Sequence, residues 1–176
     1  MSVLSYAGAL AVATLLHLAG TWIYPGFPRA VDLLLVVTVA AARAGRPERA
    51  IVAGSVAGWI ADALTGGRFG LFGFADAAVG YLIALVAQRL VVQRKTAIAG
   101  VFAAAGAAQG VLLVLLGWAI VGGRELPRPL DLVVRVATTA VAGLAWTQVA
   151  ALLSRRFRRL RHRPSGGLRI DRSLLP

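Results

Sequence analysis

Cysteine is absent from the 176 residues of this chain, and only two histidines are present. The first absence excludes a disulfide framework, a cysteine nucleophile and thiolate metal sites. Two histidines far apart in the chain do not supply a histidine-rich metal centre, so we expect no bound metal and no cofactor. Charged residues make up 15% of the chain, whereas about a quarter is usual in soluble domains. Among the charged residues, the acidic ones are in the minority, with seven against 19 lysines and arginines.

Hydrophobic residues are in excess, at 59% of the chain. A single soluble core cannot hold that excess, so we predict an integral membrane protein. The longer apolar runs match the thickness of a hydrocarbon core, which about 20 helical residues span. The sequence therefore predicts an all-α fold, a polytopic membrane bundle with six transmembrane helices over residues 1–154 and a basic, partly disordered cytoplasmic tail over residues 155–176. The six runs are Leu4–Tyr24, Ala30–Ala42, Ala50–Leu64, Leu71–Val92, Ala97–Val121 and Leu130–Leu153.

The net charge of +12 comes from the connections between these runs and from the tail, which holds eight of the 19 basic residues. A basic tail directly after a membrane helix is typical of a topology anchor that attracts anionic lipid, so we expect no nucleic-acid binding. The positive-inside rule places both termini in the cytoplasm, because most lysines and arginines fall on one side. That side holds Arg43, Arg46, Arg49, Arg89, Arg94, Lys95 and the tail, and the other holds Arg29, Arg68, Arg124 and Arg128.

Two aspartates lie within apolar runs, where burial of a carboxylate costs free energy and therefore indicates a structural or functional role. Asp62 is near the end of the third run and Asp76 is early in the fourth. The turn between them contains Gly66, Gly67 and Gly70. Glycine permits the positive φ angles and the close backbone approach that a turn dipping between helices requires. The predicted topology puts this turn toward the outer face.

Three further charged residues fall at the same predicted depth. Asp32 lies in the first turn of the second run, where a carboxylate favours the positive end of the helix dipole. Asp131 and Arg135 open the sixth run one helical turn apart, so they can pair. We expect the buried carboxylates to be satisfied by backbone N–H groups of the glycine turn or by Arg135. Asp62 itself has three interpretations: a simple helix end, a buried polar junction that docks two helices, or a direct substrate or ion site.

Asp32 follows Pro28, and the later runs contain Gly54, Gly58 and Asp62, then the turn from Gly66 to Leu71 and the pair Gly80 and Tyr81. This pattern of small and acidic residues over residues 28–95 resembles the MreD family, the rod shape-determining membrane proteins of bacteria. Gly54 and Gly58 form a small-xxx-small pair that lets another helix approach closely. Asp76 departs from the family, in which we expect a neutral polar residue, and the arginine-rich tail is unusually long. The structural or interaction candidates are Asp32, Gly54, Gly58, Asp62, Gly66, Gly67, Gly70, Asp76, Gly80, Tyr81, Asp131 and Arg135.

The resemblance implies a non-enzymatic scaffold of the cell-elongation machinery, in the cytoplasmic (inner) membrane of a bacterium. Such a scaffold binds MreC and helps to couple MreB filaments to cell-wall synthases. The resemblance also implies that the scaffold acts together with RodA and a class B penicillin-binding protein, which polymerise and cross-link peptidoglycan.

Two other classes of function are weighed against the scaffold. The fold of the MreD family is similar to the substrate-binding subunits of energy-coupling-factor transporters. The alternative is therefore a small-molecule or ion uptake subunit, with its ligand near Asp62, Asp76 and Arg135. A membrane enzyme is not expected, because the sequence contains no HExxH, GxSxG or DxD-type motif and no carboxylate with a histidine neighbour.

Overall fold

The computed structural model describes residues 3–66, 70–89, 95–121 and 129–161, and in these ranges the chain is helical apart from short connections. Six helices of ten or more residues and one of four residues build the described fold, which confirms the all-α class. In chain order they are α1 (Val3–Ile23), α2 (Phe27–Ala30), α3 (Leu33–Ala42), α4 (Pro47–Thr65), α5 (Leu71–Arg89), α6 (Lys95–Val121) and α7 (Pro129–Arg161).

Four of these helices, α1, α5, α6 and α7, are long and apolar enough to cross a membrane. The other two long helices differ from them in length or in charge. α3 has ten residues, a length of about 15 Å, whereas the hydrocarbon core is about 30 Å thick. α4 has 19 residues but carries Glu48, Arg49 and Asp62. Both lie where the second and third spans are predicted, and their crossing of the membrane stays a prediction.

The centre of the bundle is α3, whose sequence LLLVVTVAAA is apolar on nearly every side. A helix of that kind is stable only when neighbours surround it. α3 contacts α1, α4, α5, α6 and α7, and Leu34, Leu35 and Val39 are completely buried. The shortest predicted span thus forms the core on which the longer helices pack.

The second apolar run is broken in two. The helix α1 ends before the PGFPR segment, as predicted, and α2 is a single turn that ends at Ala30. The backbone is extended at Val31, and α3 then starts again. Asp32 is therefore not in the first turn of the helix, as the sequence suggested, but is the N-cap of α3. Its Oδ1 accepts a hydrogen bond of 2.9 Å from the Leu35 N–H, a role for which aspartate is strongly preferred.

The helices α4 and α5 pack backbone against backbone. A Cβ added at Gly54 would overlap the carbonyl oxygen of Asp76, and one added at Gly58 would overlap the carbonyl oxygen of Phe72. Gly80 on α5 makes the reciprocal close approach to the backbone of α4. The small-xxx-small pair predicted from the sequence is therefore the surface of α4 that receives α5.

The helix α7 packs against α6 and continues beyond the predicted span. The completely buried ring of Phe102 on α6 fills the space above Gly143 on α7. The last helix extends to Arg161, so the first part of the predicted basic tail continues it. The remainder of the predicted tail, residues 162–176, lies outside the described residues, so the partial disorder predicted for it stays a prediction.

Candidate functional site

The carboxylate of Asp62 joins the end of α4 to the start of α5. It accepts hydrogen bonds from the backbone N–H groups of Gly70 (2.8 Å), Phe72 (3.1 Å) and Gly73 (3.2 Å). The first N–H groups of a helix have no partner within the helix and carry the positive end of its dipole, so they favour a carboxylate. Asp62 is also buried. Among the three interpretations of Asp62, this geometry agrees with a polar junction that docks two helices.

Glycine is required at both described ends of the turn. Gly66 ends α4 with a φ angle of 64°, and Gly70 precedes α5 with a φ angle of 104°. Side chains of L-residues rarely tolerate such angles, which is the predicted reason for glycine here. Gly67, also a candidate, lies outside the described residues.

A second group of polar side chains is buried where α3, α5, α6 and α7 meet. We name it the polar centre, and it consists of Asp32, Asp76, Gln109 and Arg135. The Gln109 amide nitrogen donates to Oδ2 of Asp32 at 2.8 Å and to Oδ1 of Asp76 at 2.6 Å. Arg135 Nη2 donates to the same Oδ2 of Asp32 at 2.6 Å and to the Gln109 carbonyl oxygen at 3.0 Å. Four helices are thus connected through one amide and one guanidinium group.

The polar centre is almost free of solvent. Asp76 and Gln109 are 0% exposed and Asp32 is 4% exposed. The side chain of Arg135 is 14% exposed, and its guanidinium lies 5.3 Å from the centroid of the Phe72 ring, within cation–π range. Hydrogen bonds are stronger in such dry surroundings, and an unpaired polar group costs correspondingly more.

Arg135 does not pair with Asp131, as its spacing in the sequence predicts, but with Asp32. Asp131 is exposed, and an ion pair in water is worth little. The Asp32 carboxylate is buried, so the attraction between the two charges is screened less. The prediction that Arg135 satisfies a buried carboxylate is therefore confirmed, although its partner lies on another helix.

Two other candidates lie away from the polar centre. The side chain of Tyr81 on α5 is 40% exposed, and Asp131 is exposed at the start of α7. Gly80, next to Tyr81, belongs to the contact between α4 and α5. The described polar centre and the Asp62 junction therefore account for three of the four aspartates predicted at the outer face.

Gln109 and Thr138 are not among the candidate residues, although Thr138 is one of the polar residues of the sixth run that the sequence predicts to form hydrogen bonds between helices. The hydroxyl of Thr138 contacts the carbonyl oxygen of Ala30, the last residue of α2, and so ties α7 to the break before α3. The signal for Gln109 was a lone amide midway along an apolar run, between Gly106 and Gly110. A buried amide in such a position needs partners on other helices.

Comparison of the chain with protein-family models, with curated proteins and with solved structures finds no match. The motif pattern and the geometry of the Asp62 junction and the polar centre are therefore the features that bear on function.

Proposed function

We propose that the chain is a non-enzymatic membrane scaffold of the bacterial cell-elongation machinery, the role that its resemblance to the MreD family implies. The main supporting observation is that the motif residues make the contact between α4 and α5. Gly54 and Gly58 bring α5 against the backbone of α4, and Asp62 caps the start of α5. Residues with these contacts build a rigid helix pair, and a rigid pair of helices offers a partner a fixed surface.

The proposed topology has six spans in the inner membrane and both termini in the cytoplasm. It is supported by four helices of sufficient length and apolar character and by the uneven distribution of lysine and arginine. The broken pair α2 and α3 supplies the second span and α4 supplies the third. The 4 residues of α2 and the 10 residues of α3 rise about 21 Å as helix, and the extended backbone at Val31 lies between them, compared with about 30 Å for a hydrocarbon core.

The proposed partner is MreC, through its transmembrane and juxtamembrane segment, with RodA and a class B penicillin-binding protein in a larger complex. MreC in turn connects the scaffold to MreB filaments. The basic tail is proposed to contact anionic lipid, because several arginines directly follow a membrane helix.

Co-purification with MreC in mild detergent tests the proposal. The wild-type chain and the exposed-site control Asp131→Ala are expected to retain MreC. Asp62→Ala, expressed to the same level, is expected to retain several-fold less, because the start of α5 loses its cap. Failure of the wild-type chain to retain MreC would contradict the scaffold proposal. Unchanged retention by Asp62→Ala would remove only the role of Asp62 in shaping the partner surface.

A second candidate, a small-molecule or ion uptake subunit, draws on the break between α2 and α3. Broken helices beside a charged residue are a common arrangement in transporter binding sites, and here Arg135 contacts Asp32 at the break. This candidate predicts that gently purified protein carries a bound small molecule, detectable by mass spectrometry, that is lost in Arg135→Gln. A wild-type chain that releases no such molecule would favour the scaffold.

A further inference from the structure

The charges of the polar centre do not balance. Two carboxyl groups, Asp32 and Asp76, face one guanidinium group, that of Arg135. Both carboxyl groups receive a hydrogen bond from the same amide nitrogen of Gln109, so they lie no more than two hydrogen bonds apart. With both ionised, the site would hold an uncompensated negative charge away from water, which is strongly destabilising.

If both carboxyl groups were ionised, the uncompensated negative charge would lie on Asp76. Of the four carboxylate oxygens of the pair, both oxygens of Asp32 and Oδ1 of Asp76 accept hydrogen bonds. Oδ2 of Asp76 is buried and has no hydrogen-bond partner among the described residues. The ion pair with Arg135 is made by Asp32 and not by Asp76.

The hydroxyl of Thr139 is another buried polar group, one helical turn from Arg135 of the polar centre. Thr139 lies one helical turn after Arg135, is 0% exposed, and its hydroxyl has no described partner. Its Cβ is 3.9 Å from the position that a Cβ at Gly106 would occupy, so this side of α7 faces α6 one turn from Gln109. Other helical threonines instead donate to a carbonyl three or four residues earlier: Thr14, Thr21, Thr38, Thr65, Thr138 and Thr147.

We propose that the polar centre is a proton-binding site, in which the carboxyl group of Asp76 holds one exchangeable proton on Oδ2. A hard metal cation requires several oxygen ligands at once, whereas a proton requires one. Where two carboxyl groups lie close together away from water, like-charge repulsion disfavours ionisation of both, and one of them keeps its proton. In this arrangement Asp32 is the ionised partner of Arg135, and Asp76 is the neutral member.

The groups around Asp76 come from every neighbouring element. Asp32 precedes α3, Gln109 is on α6, and Arg135 is on α7. On α4 the nearest acid is Asp62, whose charge is already taken up by the start of α5. On α1, Tyr6 donates to the carbonyl of Ala53 and His17 is near Asp32 and Arg135.

Loss of the proton would act on the packing of the helices. The Asp76 side chain contacts α6 through Gln109, and its backbone contacts Gly54 of α4. An ionised Asp76 would leave a buried charge at the point where these helices meet. The proposed site is therefore a pH-sensitive element within the bundle, whether or not the chain binds MreC.

Infrared spectroscopy of the full-length protein in lipid nanodiscs tests the proposal. The wild-type chain and Asp131→Asn are expected to show the C=O stretching band of a buried, protonated carboxyl group at neutral pH. Asp76→Asn is expected to lack the band. A wild-type spectrum without the band, or a band that persists in Asp76→Asn, would overturn the proposal. If Asp76→Asn does not fold, Asp76→Glu replaces it, and a band that Asp76→Glu leaves unshifted would overturn the proposal in the same way.

The pH dependence of thermal stability provides a second readout. Because the folded chain would bind one proton more than the unfolded chain near neutral pH, its Tm is expected to fall as the pH rises. Asp76→Asn removes the exchangeable proton, so its Tm should change less over the same pH range. Equal slopes for the two proteins would contradict the site. So would a wild-type Tm that rises when sodium replaces choline at constant ionic strength, because a metal ion would then hold the position.

Discussion

Arg135 and Asp32 lie 103 positions apart in the chain and form an ion pair with an Nη2–Oδ2 distance of 2.6 Å. Asp32 lies at the break between α2 and α3, and Arg135 lies in the second turn of α7. The pair therefore connects the core helix of the bundle to its last helix. Thr138 reinforces the same contact, because its hydroxyl meets the Ala30 carbonyl at the end of α2.

The Gly54 contact predicts that the close approach of α4 and α5 tolerates no side chain. Gly54→Ala would force its Cβ into the backbone of α5, and overpacking of this kind costs about 1–3 kcal/mol or more. Gly100→Ala is the matched control, because nothing lies within 4 Å of its added Cβ. Its free energy of unfolding is expected to be unchanged or higher, since alanine favours helix over glycine by about 1 kcal/mol. Titration with a denaturing detergent measures both variants, and equal stability would disprove the backbone contact.

Asp62 is predicted to act as an acceptor of backbone hydrogen bonds. Asp62→Asn keeps the shape but replaces one acceptor oxygen with a donor group, which then faces an N–H. We expect a loss of about 1–3 kcal/mol in the free energy of unfolding. Asp131→Asn, at an exposed position, should change it by less than about 0.5 kcal/mol. A variant at position 62 that is as stable as the wild type would show that the carboxylate does not hold the start of α5.

Gln109 is predicted to be the residue that both aspartates of the polar centre depend on. Gln109→Leu removes the donor to Asp32 and Asp76 and the acceptor for Arg135, and should lower the free energy of unfolding by about 2–3 kcal/mol. Gln148→Leu is the control, because Gln148 is exposed on α7. Thermal unfolding in detergent measures the Tm of both variants, and Gln109→Leu is expected to have the lower value. Equal Tm values would mean that the amide of Gln109 contributes nothing to the bundle.

Features that depend on short segments of sequence could be predicted. Pro25 ends α1, Pro47 and Glu48 open α4, and Gly66 ends α4 in the left-handed conformation. The close packing at the glycine pair of α4 could also be predicted, because two glycines at a spacing of four residues leave one helix face without side chains. The satisfaction of Asp62 by the turn's N–H groups followed from the same local reasoning.

The choice of partners between distant helices could not be predicted. The spacing of Asp131 and Arg135 favours a pair on one helix, but the rotation of α7 turns the guanidinium toward Asp32. Which side of a helix faces the core depends on all its neighbours, and α6 and α7 carry apolar residues on every side. For the same reason, Gln109 is not among the candidates chosen from the sequence.

A double-mutant cycle between Asp32 and Arg135 measures how strongly buried polar side chains join distant helices of the bundle. The free energy of unfolding is measured in a denaturing-detergent titration for Asp32→Asn, Arg135→Gln and the double variant. Each single variant is expected to lose about 3–5 kcal/mol, because it leaves a buried charge or donor unpaired. The double variant should lose less than the sum by at least about 1 kcal/mol. The parallel cycle between Asp131 and Arg135 should be additive within about 0.5 kcal/mol. Additive losses at Asp32 and Arg135, with coupling at Asp131 and Arg135 instead, would show that Arg135 pairs within α7 and that no buried ion pair joins α7 to α3.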